Sequence, residues 1–350
     1  MGVGERTRVA VLMGGVSSEH DVSICTGLNV LDVLDPERYS GVPVYVQRHG
    51  AWAFGHRPAL PSLEADHGES PTAQAVANPP EACSAGILEQ LRESADVVFI
   101  ALHGPGGEDG TVQSLCTIAA VPFTGSGVLA SALAMDKAVS KRLLRAAGIP
   151  LALDVVVDAG TLPEEIIARA AEIGYPCVVK PVRGGSSFAT AVAHNQADLL
   201  PAVAVACESG PAMVEEFLAG IEVTCGVLGG GAEPTEAFPL TEIAPEAEGF
   251  FDFRAKYTAG ACTEITPARV DANVAVLVQE LSQQAHNELG CEGCSRSDFI
   301  ITDAGPRMLE LNTIPGMTET SLMPQGAAAV GIDFAALVER LLHSALSRGL

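Results

Sequence analysis

The chain has 350 residues, 48% of them hydrophobic, with 43 acidic against 20 basic side chains and a formal net charge of −23. That length and apolar content describe a globular protein of two or three domains. So acidic a surface argues against a nucleic-acid partner, which would need basic patches for its phosphates; any anionic substrate must find the scarce Lys and Arg gathered at one place.

No run of about 18 apolar residues is present, so no membrane-spanning helix is expected. The apolar run at 9–13 is too short for a signal peptide, and a cytoplasmic location follows as the expectation. The nine cysteines are scattered, with only Cys291 and Cys294 in a C-x-x-C spacing. A structural zinc site would need four ligands, so reduced thiols are the default.

Residues 6–13 read as a buried strand, Gly14-Gly15 as a tight turn, and 19–34 as a helix capped by Ser17 or Ser18. Glu19 is then either a first-turn acid serving the helix dipole or a partner for the ammonium of a small ligand. Ligands of open α/β sheets sit beyond the carboxyl ends of the strands, where Glu19 would be. Residues 42–47 and 51–54 suggest a hairpin, and the Pro-, Ala- and Ser-rich stretch 56–85 a surface excursion. A helix at 87–94 and a strand at 96–102 lead into His103-Gly-Pro-Gly-Gly-Glu-Asp-Gly110. Its glycines allow a ligand close to the backbone, but no Gly-Lys-Ser/Thr follows, so it is not a Walker A loop. The strand–helix alternation up to residue 124 predicts a parallel sheet.

Residues 129–148 read as one helix carrying Asp136, Lys137, Lys141, Arg142 and Arg145. Basic residues late in a helix suit its dipole, so most of them need no further role. A strand at 151–157, a helix at 163–174 and a strand at 177–182 follow. Lys180 lies inside that last apolar run, where an unpaired ammonium is costly. Arg183-Gly-Gly-Ser-Ser-Phe-Ala189 is either a plain turn or a flap whose amides and hydroxyls cover phosphates. A strand at 212–218 carries Glu215 and Glu216, and the next carries Glu222. These are hydrogen-bonding partners for a ribose or an adenine amine, or simply edge-strand charges. Residues 250–257 fall in a long segment without periodicity, of the kind that forms lids.

After a helix at 270–289, residues 298–302 and 307–312 read as a hairpin. Strand alternation sends Leu309 and Leu311 to a core and puts Glu310 and Asn312 on the opposite face, which Asp298 can join. Three hard oxygen donors suit a Mg²⁺ that keeps waters and phosphate oxygens as its other ligands; the alternative is a solvated polar face. Helices near 322–330 and 333–346 end the chain.

Seven motifs occur together and in order: Gly14-Gly-Val-Ser-Ser-Glu19, His103-Gly-x-x-Gly-Glu-Asp-Gly110, Gly125-Ser-Gly followed by Met135-Asp-Lys137, Val179-Lys180-Pro with Gly185-Ser-Ser, Ala255-Lys-Tyr257, Arg296-Ser-Asp298, and Glu310-Leu-Asn312 with Pro315-Gly-Met-Thr and Ser321-Leu322. In these the sequence resembles the D-alanine–D-alanine ligases of the ATP-grasp superfamily over essentially its whole length, apart from the segment near 56–85. The resemblance implies a three-domain ATP-grasp fold of mixed α/β and α+β type. Its parts would be an N-terminal parallel-sheet substrate-binding domain at 1–125, a central ATP-grasp subdomain with the Gly-Ser flap at 126–215, and a C-terminal ATP-grasp subdomain with metal site and lid loop at 216–350.

The implied reaction has two steps. ATP phosphorylates the carboxylate of one D-alanine, and the amine of a second D-alanine displaces the phosphate from the acyl phosphate. By matching positions, Lys137 and Lys180 would hold ATP phosphates, with Ser187 beside them in the flap. Glu215 and the Glu216, Phe217 and Leu218 backbone would meet adenine, Glu222 the ribose, and Lys256 the γ-phosphate. Asp298, Glu310 and Asn312 would hold two Mg²⁺, for which Mn²⁺ could substitute. Arg296 and the Gly316 amide would stabilise the tetrahedral oxyanion. Glu19 would bind the first ammonium with His103 nearby, and Ser321 with Leu322 the second carboxylate. Glu19, Ser186 and Tyr257 would form the link that shuts the lid. A homodimer is implied by family analogy, with no nucleic-acid or membrane partner.

Two departures stand out. The family usually continues Gly-Ser-Ser with Val-Gly, where this chain has Phe188-Ala189, and Ala takes a positive φ less cheaply than Gly. Ser297 replaces an aliphatic residue and should face away from Arg296 and Asp298, with an effect on packing alone. The rival readings are a ligase that takes D-serine or D-lactate second, and a catalytically weak nucleotide-binding relative. Tyr257 speaks against the D-lactate form, which usually lacks it.

Overall fold

The protein is described from a computed structural model, over residues 6–61, 86–185, 189–245 and 262–348. Strand β1 (Thr7–Gly14) is almost wholly apolar, as a strand covered on both faces must be. It pairs in parallel with β2 (Tyr39–Val46) and β4 (Val97–Ile100), and β3 (Trp52–Phe54) adds antiparallel to β2. The parallel sheet and the 42–54 hairpin thus match the sequence reading. One face packs Ala10, Leu12 and Ile100 against α2 (Ile87–Ser94) and α3 (Thr111–Ala119). The other packs Val9, Val11 and Met13 against α1 (His20–Val33) and the last helix (Phe334–Arg348). Helix α1 lies so close that a Cβ on Gly27 would stand 2.6 Å from the Met13 Cβ. It opens at His20 without a serine cap. The Ser17 hydroxyl accepts from the Glu19 amide (3.2 Å) and donates to the His103 carbonyl (2.7 Å), tying two loops together.

The expected single helix at 129–148 is two: α4 (Val128–Met135) and α5 (Lys137–Ala146). Asp136 takes an extended conformation between them, and its carboxylate caps the second helix through the Val139 amide at 3.0 Å. A residue that is a better N-cap than helix interior breaks the periodic run. A second sheet follows, in the order β5 (Asp154–Val157), β8 (Ala212–Glu216), β6 (Cys177–Pro181), β7 (Ala191–Ala193). Its core lies under helices α6 (Pro163–Ile173) and α7 (Gln196–Ala206), the latter not foreseen from the sequence.

The third sheet has six strands among the described residues. β9 (Ile221–Gly230) lies between β11 (Thr241–Pro245) and β13 (Glu292–Thr302), with β12 (Cys262–Ile265) and β14 (Gly305–Asn312) outside them, and β10 (Glu233–Ala237) pairs with the far end of β9. The hairpin is longer than the sequence suggested, and it carries a bulge. Asp298 faces Glu310, but Phe299 faces Met308, so Leu309 has no partner. Met308 and Leu311 therefore enter the core under α8 (Ala272–Glu288), while Leu309 stays partly exposed rather than buried as alternation had required. Ser297 does face away from its neighbours. It is fully buried, and its hydroxyl makes no hydrogen bond among the described residues. Cys291 and Cys294 are buried thiols whose pKa burial pushes up to about 12, which keeps them protonated.

His286 of α8 is fully buried, its Nδ1 2.7 Å from the Ser295 hydroxyl of β13. Burial pushes its pKa down to about 4, from 6.5. The unfolded chain thus binds a proton that the fold refuses. The neutral ring's contribution is complete above about pH 6.5 and is lost as pH falls towards 4. A His286→Gln variant should keep more of its thermal midpoint between pH 7 and pH 5 than the parent does. A parent midpoint that falls no more steeply than the variant's contradicts this role.

Candidate active site

The bulged hairpin places its polar side chains on one face. Arg296 lies opposite Asn312 and Asp298 opposite Glu310. The Arg296 guanidinium grips both Asp298 oxygens, at 3.0 and 2.9 Å, a paired geometry that fixes the two planes relative to each other. Asp298 also accepts from the Thr224 hydroxyl of β9 (2.7 Å) and from the Asn312 amide (3.3 Å). Lys137, at the start of α5, reaches across to this face: its ammonium is 3.4 Å from Glu310 and donates to the Gly184 carbonyl at 2.7 Å.

Lys180 on β6 donates to Glu215 on β8 at 2.7 Å. Lys141 of α5 bonds the other oxygen of Glu215, and stands 3.3 Å from Asp154. Burial alone would lower the Lys180 pKa, but the charges of Glu215 and Glu310 outweigh it and the net shift is upward. Burial likewise pushes Glu215 up, and Lys180 and Lys141 together bring it below its usual value. Lys180 and Glu215 stay ionised in an apolar setting because each has an opposite charge against it. Lys141, 1% exposed, is no dipole partner, which corrects the reading of it as a residue with no further role. A polar position recurring on the buried side of a helix was the available signal.

Beyond Glu215, the Glu216 amide and carboxylate bond the backbone of Leu153. Phe217 is exposed, Leu218 partly so, and Glu222 lies just inside β9. These residues rim the seam between the second and third sheets.

The opposite wall comes from the first sheet. Glu19 sits against two glycines: a Cβ on Gly104 would be 2.9 Å, and on Gly185 2.4 Å, from its carboxylate oxygen. Glycine at both positions leaves that carboxylate where it stands, and at Gly104 it also meets a φ of +70°. His103 is buried, with Nε2 3.0 Å from the Thr26 hydroxyl and Nδ1 3.1 Å from the Ile314 carbonyl, and burial lowers its pKa. Glu108 accepts from the Gly104 amide at 2.9 Å and the Ile314 amide at 3.2 Å. Burial, reinforced by the Glu19 charge, pushes its pKa up to about 8. After Ile314 the chain passes Gly316 to Ser321, which precedes the helix Leu322–Ala328 and whose hydroxyl accepts from the Thr318 amide at 3.1 Å.

Family models described as "D-ala D-ala ligase N-terminus" and "D-ala D-ala ligase C-terminus" match residues 8–126 and 143–343. The chain belongs to the D-alanine–D-alanine ligase family. A D-alanine–D-alanine ligase of Rhodococcus jostii is 40% identical, over 99% of this chain and 98% of its own. The Bacillus anthracis ligase solved in complex with ATP superposes with a TM-score of 0.76 at 27% identity, covering 98% of each chain. The VanG D-Ala:D-Ser ligase of Enterococcus faecalis gives 0.79 at 30% identity, over 97% of this chain and 99% of its own. The fold is accordingly the ATP-grasp fold of these ligases.

Of the expected site residues of this family member, the structure brings Lys137, Lys180, Glu215, Arg296, Asp298, Glu310 and Asn312 to one side of a common space, and Glu19 and His103 to the other. Ser186, Ser187, Lys256 and Tyr257 lie outside the described residues, as does Phe188. Ala189 adopts φ +51°, so the flap does demand there the left-handed conformation that glycine would take at less cost. Lys141 and Glu108 line the site without a role assigned from the sequence. Replacing Lys141 by Met should cost about 2 kcal/mol, since it takes from buried Glu215 one of its two charged hydrogen bonds and leaves it Lys180. Combining it with Glu215→Gln should cost more still, because buried Lys180 then loses its carboxylate. Arg142→Ala, one residue on and exposed, should stay within about 0.5 kcal/mol. Thermal midpoints of the four proteins measured together check the ordering.

Proposed function

We propose that this chain joins two D-alanines in an ATP-dependent reaction, through an acyl phosphate, to supply D-alanyl-D-alanine for cell-wall precursors. The observation that carries the proposal is the gathering of Lys137, Lys180 and Arg296 about the Asp298–Asn312 hairpin in a chain of net charge −23. Cations this scarce are concentrated where a polyphosphate tail would lie.

In this reading Lys137 and Lys180 hold ATP phosphates as point charges, joined by Ser187 from the flap and Lys256 from the lid. The adenine lies in the seam by Glu215, Glu216, Phe217 and Leu218, with the ribose at Glu222. Glu19 orients the first D-alanine by its ammonium beside His103. That leaves its carboxylate towards the phosphates. Arg296 and the Gly316 amide receive the negative charge of the tetrahedral intermediate as the second amine attacks. Ser321 and Leu322 hold the second carboxylate. Ser186 and Tyr257, linked to Glu19, shut out the water that would hydrolyse the acyl phosphate.

Asp298, Glu310 and Asn312 supply two carboxylates and an amide oxygen, hard donors that fit two Mg²⁺, or Mn²⁺ in their place. Bound there, the metal ions offset phosphate charge during phosphoryl transfer. A cytoplasmic location and a homodimer belong to the same proposal, on family resemblance. No helix among the described residues is long and apolar enough to cross a membrane.

ADP release coupled to D-alanine, with ATP and Mg²⁺ present, tests the reading directly. D-Serine and D-lactate as second substrates are the controls; preference for D-lactate near neutral pH would overturn it. Arg296→Gln should lower kcat by about 10²–10³-fold, the usual cost of a lost oxyanion donor, with little change in KM for ATP. Lys256→Ala should act mainly on turnover as well, and an unchanged kcat would remove it from the mechanism.

A further inference from the structure

The described residues placed in the reaction line two walls, and something must set the distance between them. Ile314 is where the walls meet. It lies two residues beyond Asn312 and two before Gly316, yet its side chain is buried in the core of the first sheet with Val98, Ile100 and Leu102. Both of its backbone polar groups are taken by one loop of that sheet. His103 Nδ1 lies 3.1 Å from its carbonyl and Glu108 Oε1 accepts its amide at 3.2 Å.

We infer that Glu108 is a positioning residue of this ligase, which with His103 clamps the backbone of Ile314 and so sets Gly316 at its working distance from Glu19. The inference rests on the ligation reading for its kinetic consequences and on geometry alone for the clamp.

The clamp is built rather than incidental. The second oxygen of Glu108 accepts the Gly104 amide at 2.9 Å, so one carboxyl group spans the loop's own backbone and that of Ile314. His103 is fixed in turn by the Thr26 hydroxyl on α1, at 3.0 Å from Nε2, and by Ser17 on its carbonyl. The loop can curl this tightly because Gly107 packs on the chain: a Cβ there would stand 2.4 Å from the Leu102 carbonyl oxygen. An aspartate at 108 would be one methylene short of reaching both amides. A glutamine could accept with its oxygen only, because its NH₂ is a donor. A clamped backbone matters here because an oxyanion donor acts only where the developing charge will lie, and displacements of about 1 Å are costly.

The test uses the full-length protein with Glu108→Gln and Glu108→Ala. Two readouts are needed: amide hydrogen exchange over residues 313–317, and steady-state kinetics with D-alanine and ATP. The inference expects the Ile314 amide to exchange at least tenfold faster in Glu108→Ala, while the β13–β14 amides keep their protection. It expects kcat to fall at least tenfold with KM for ATP within twofold, and Glu108→Gln to lie between parent and Glu108→Ala in both readouts. The near-isosteric Gln variant keeps the question open to measurement if the Ala variant does not fold. An Ile314 amide that exchanges at the parental rate in either variant overturns the clamp. Parallel losses of kcat, ATP affinity and thermal midpoint overturn the positioning role, leaving Glu108 as a general structural tie. Should the parent itself release no ADP with D-alanine, the ligation reading fails, and the exchange data still decide the clamp.

Discussion

The pairing of β13 with β14, and the one-residue slip after Asp298, is the constraint on which the site depends. Four polar side chains can share one face of a hairpin only if alternation holds on both strands across them. It holds from Arg296 to Asp298 and from Glu310 to Asn312, and then must change, because Phe299 and Met308 both belong to the core. The bulge at Leu309 reconciles the two demands. It costs one partly exposed leucine and gives a surface on which Arg296, Asp298, Glu310 and Asn312 are neighbours. Without it, either the core or the polar face would be out of register.

From that face the remaining contacts run in a ring. Glu310 meets Lys137, and Lys137 meets Gly184 at the head of the flap. The flap glycine Gly185 packs on Glu19, Glu19 packs on Gly104, and Glu108 carries the path from Gly104 to Ile314. Two residues earlier the chain is at Asn312 again. Three sheets contribute to this circuit, so no one of them could build the site. The last helix packs against the first sheet in the same core as α1, which returns the end of the chain to its beginning and supports the ring from behind.

Much of this was legible in the sequence because the physics involved is local. A continuous apolar run marked β1, a Gly-rich loop after a strand marked the approach to a ligand, and alternation marked the polar face of the hairpin. What was not legible depends, except at Asp136, on contacts distant in the chain. Leu309 looked like a core residue until the partner strand fixed the register. Asp136 broke a helix because capping through Val139 outweighed the periodicity around it. Lys141 read as a dipole partner because its buried acids, Asp154 and Glu215, lie 13 and 74 residues further on. Glu108 lay inside a recognised motif, but its partner Ile314 is 206 residues away, and no spacing rule could join them.

The Lys141–Glu215–Lys180 cluster shows what kind of selection the site records. Buried ion pairs are weak devices for stability, since desolvation consumes most of the Coulombic gain and apolar replacements often do as well or better. Their use here is therefore better explained by what they hold in place. Glu215 is gripped at both oxygens, so its carboxylate has one orientation at the seam between two sheets. Lys180, drawn by Glu215 on one side and by the charge of Glu310 on the other, is kept protonated and aimed between them. An ammonium held that way before any nucleotide arrives need not be reorganised when phosphates come, and preorganised charge is the main means by which a protein can favour phosphoryl transfer. The acidic excess of the whole chain serves the same end. Many described basic groups elsewhere, among them Arg8, Arg38, Arg48 and Arg340, are paired with carboxylates at the surface, so few cations outside this space compete for an anionic ligand.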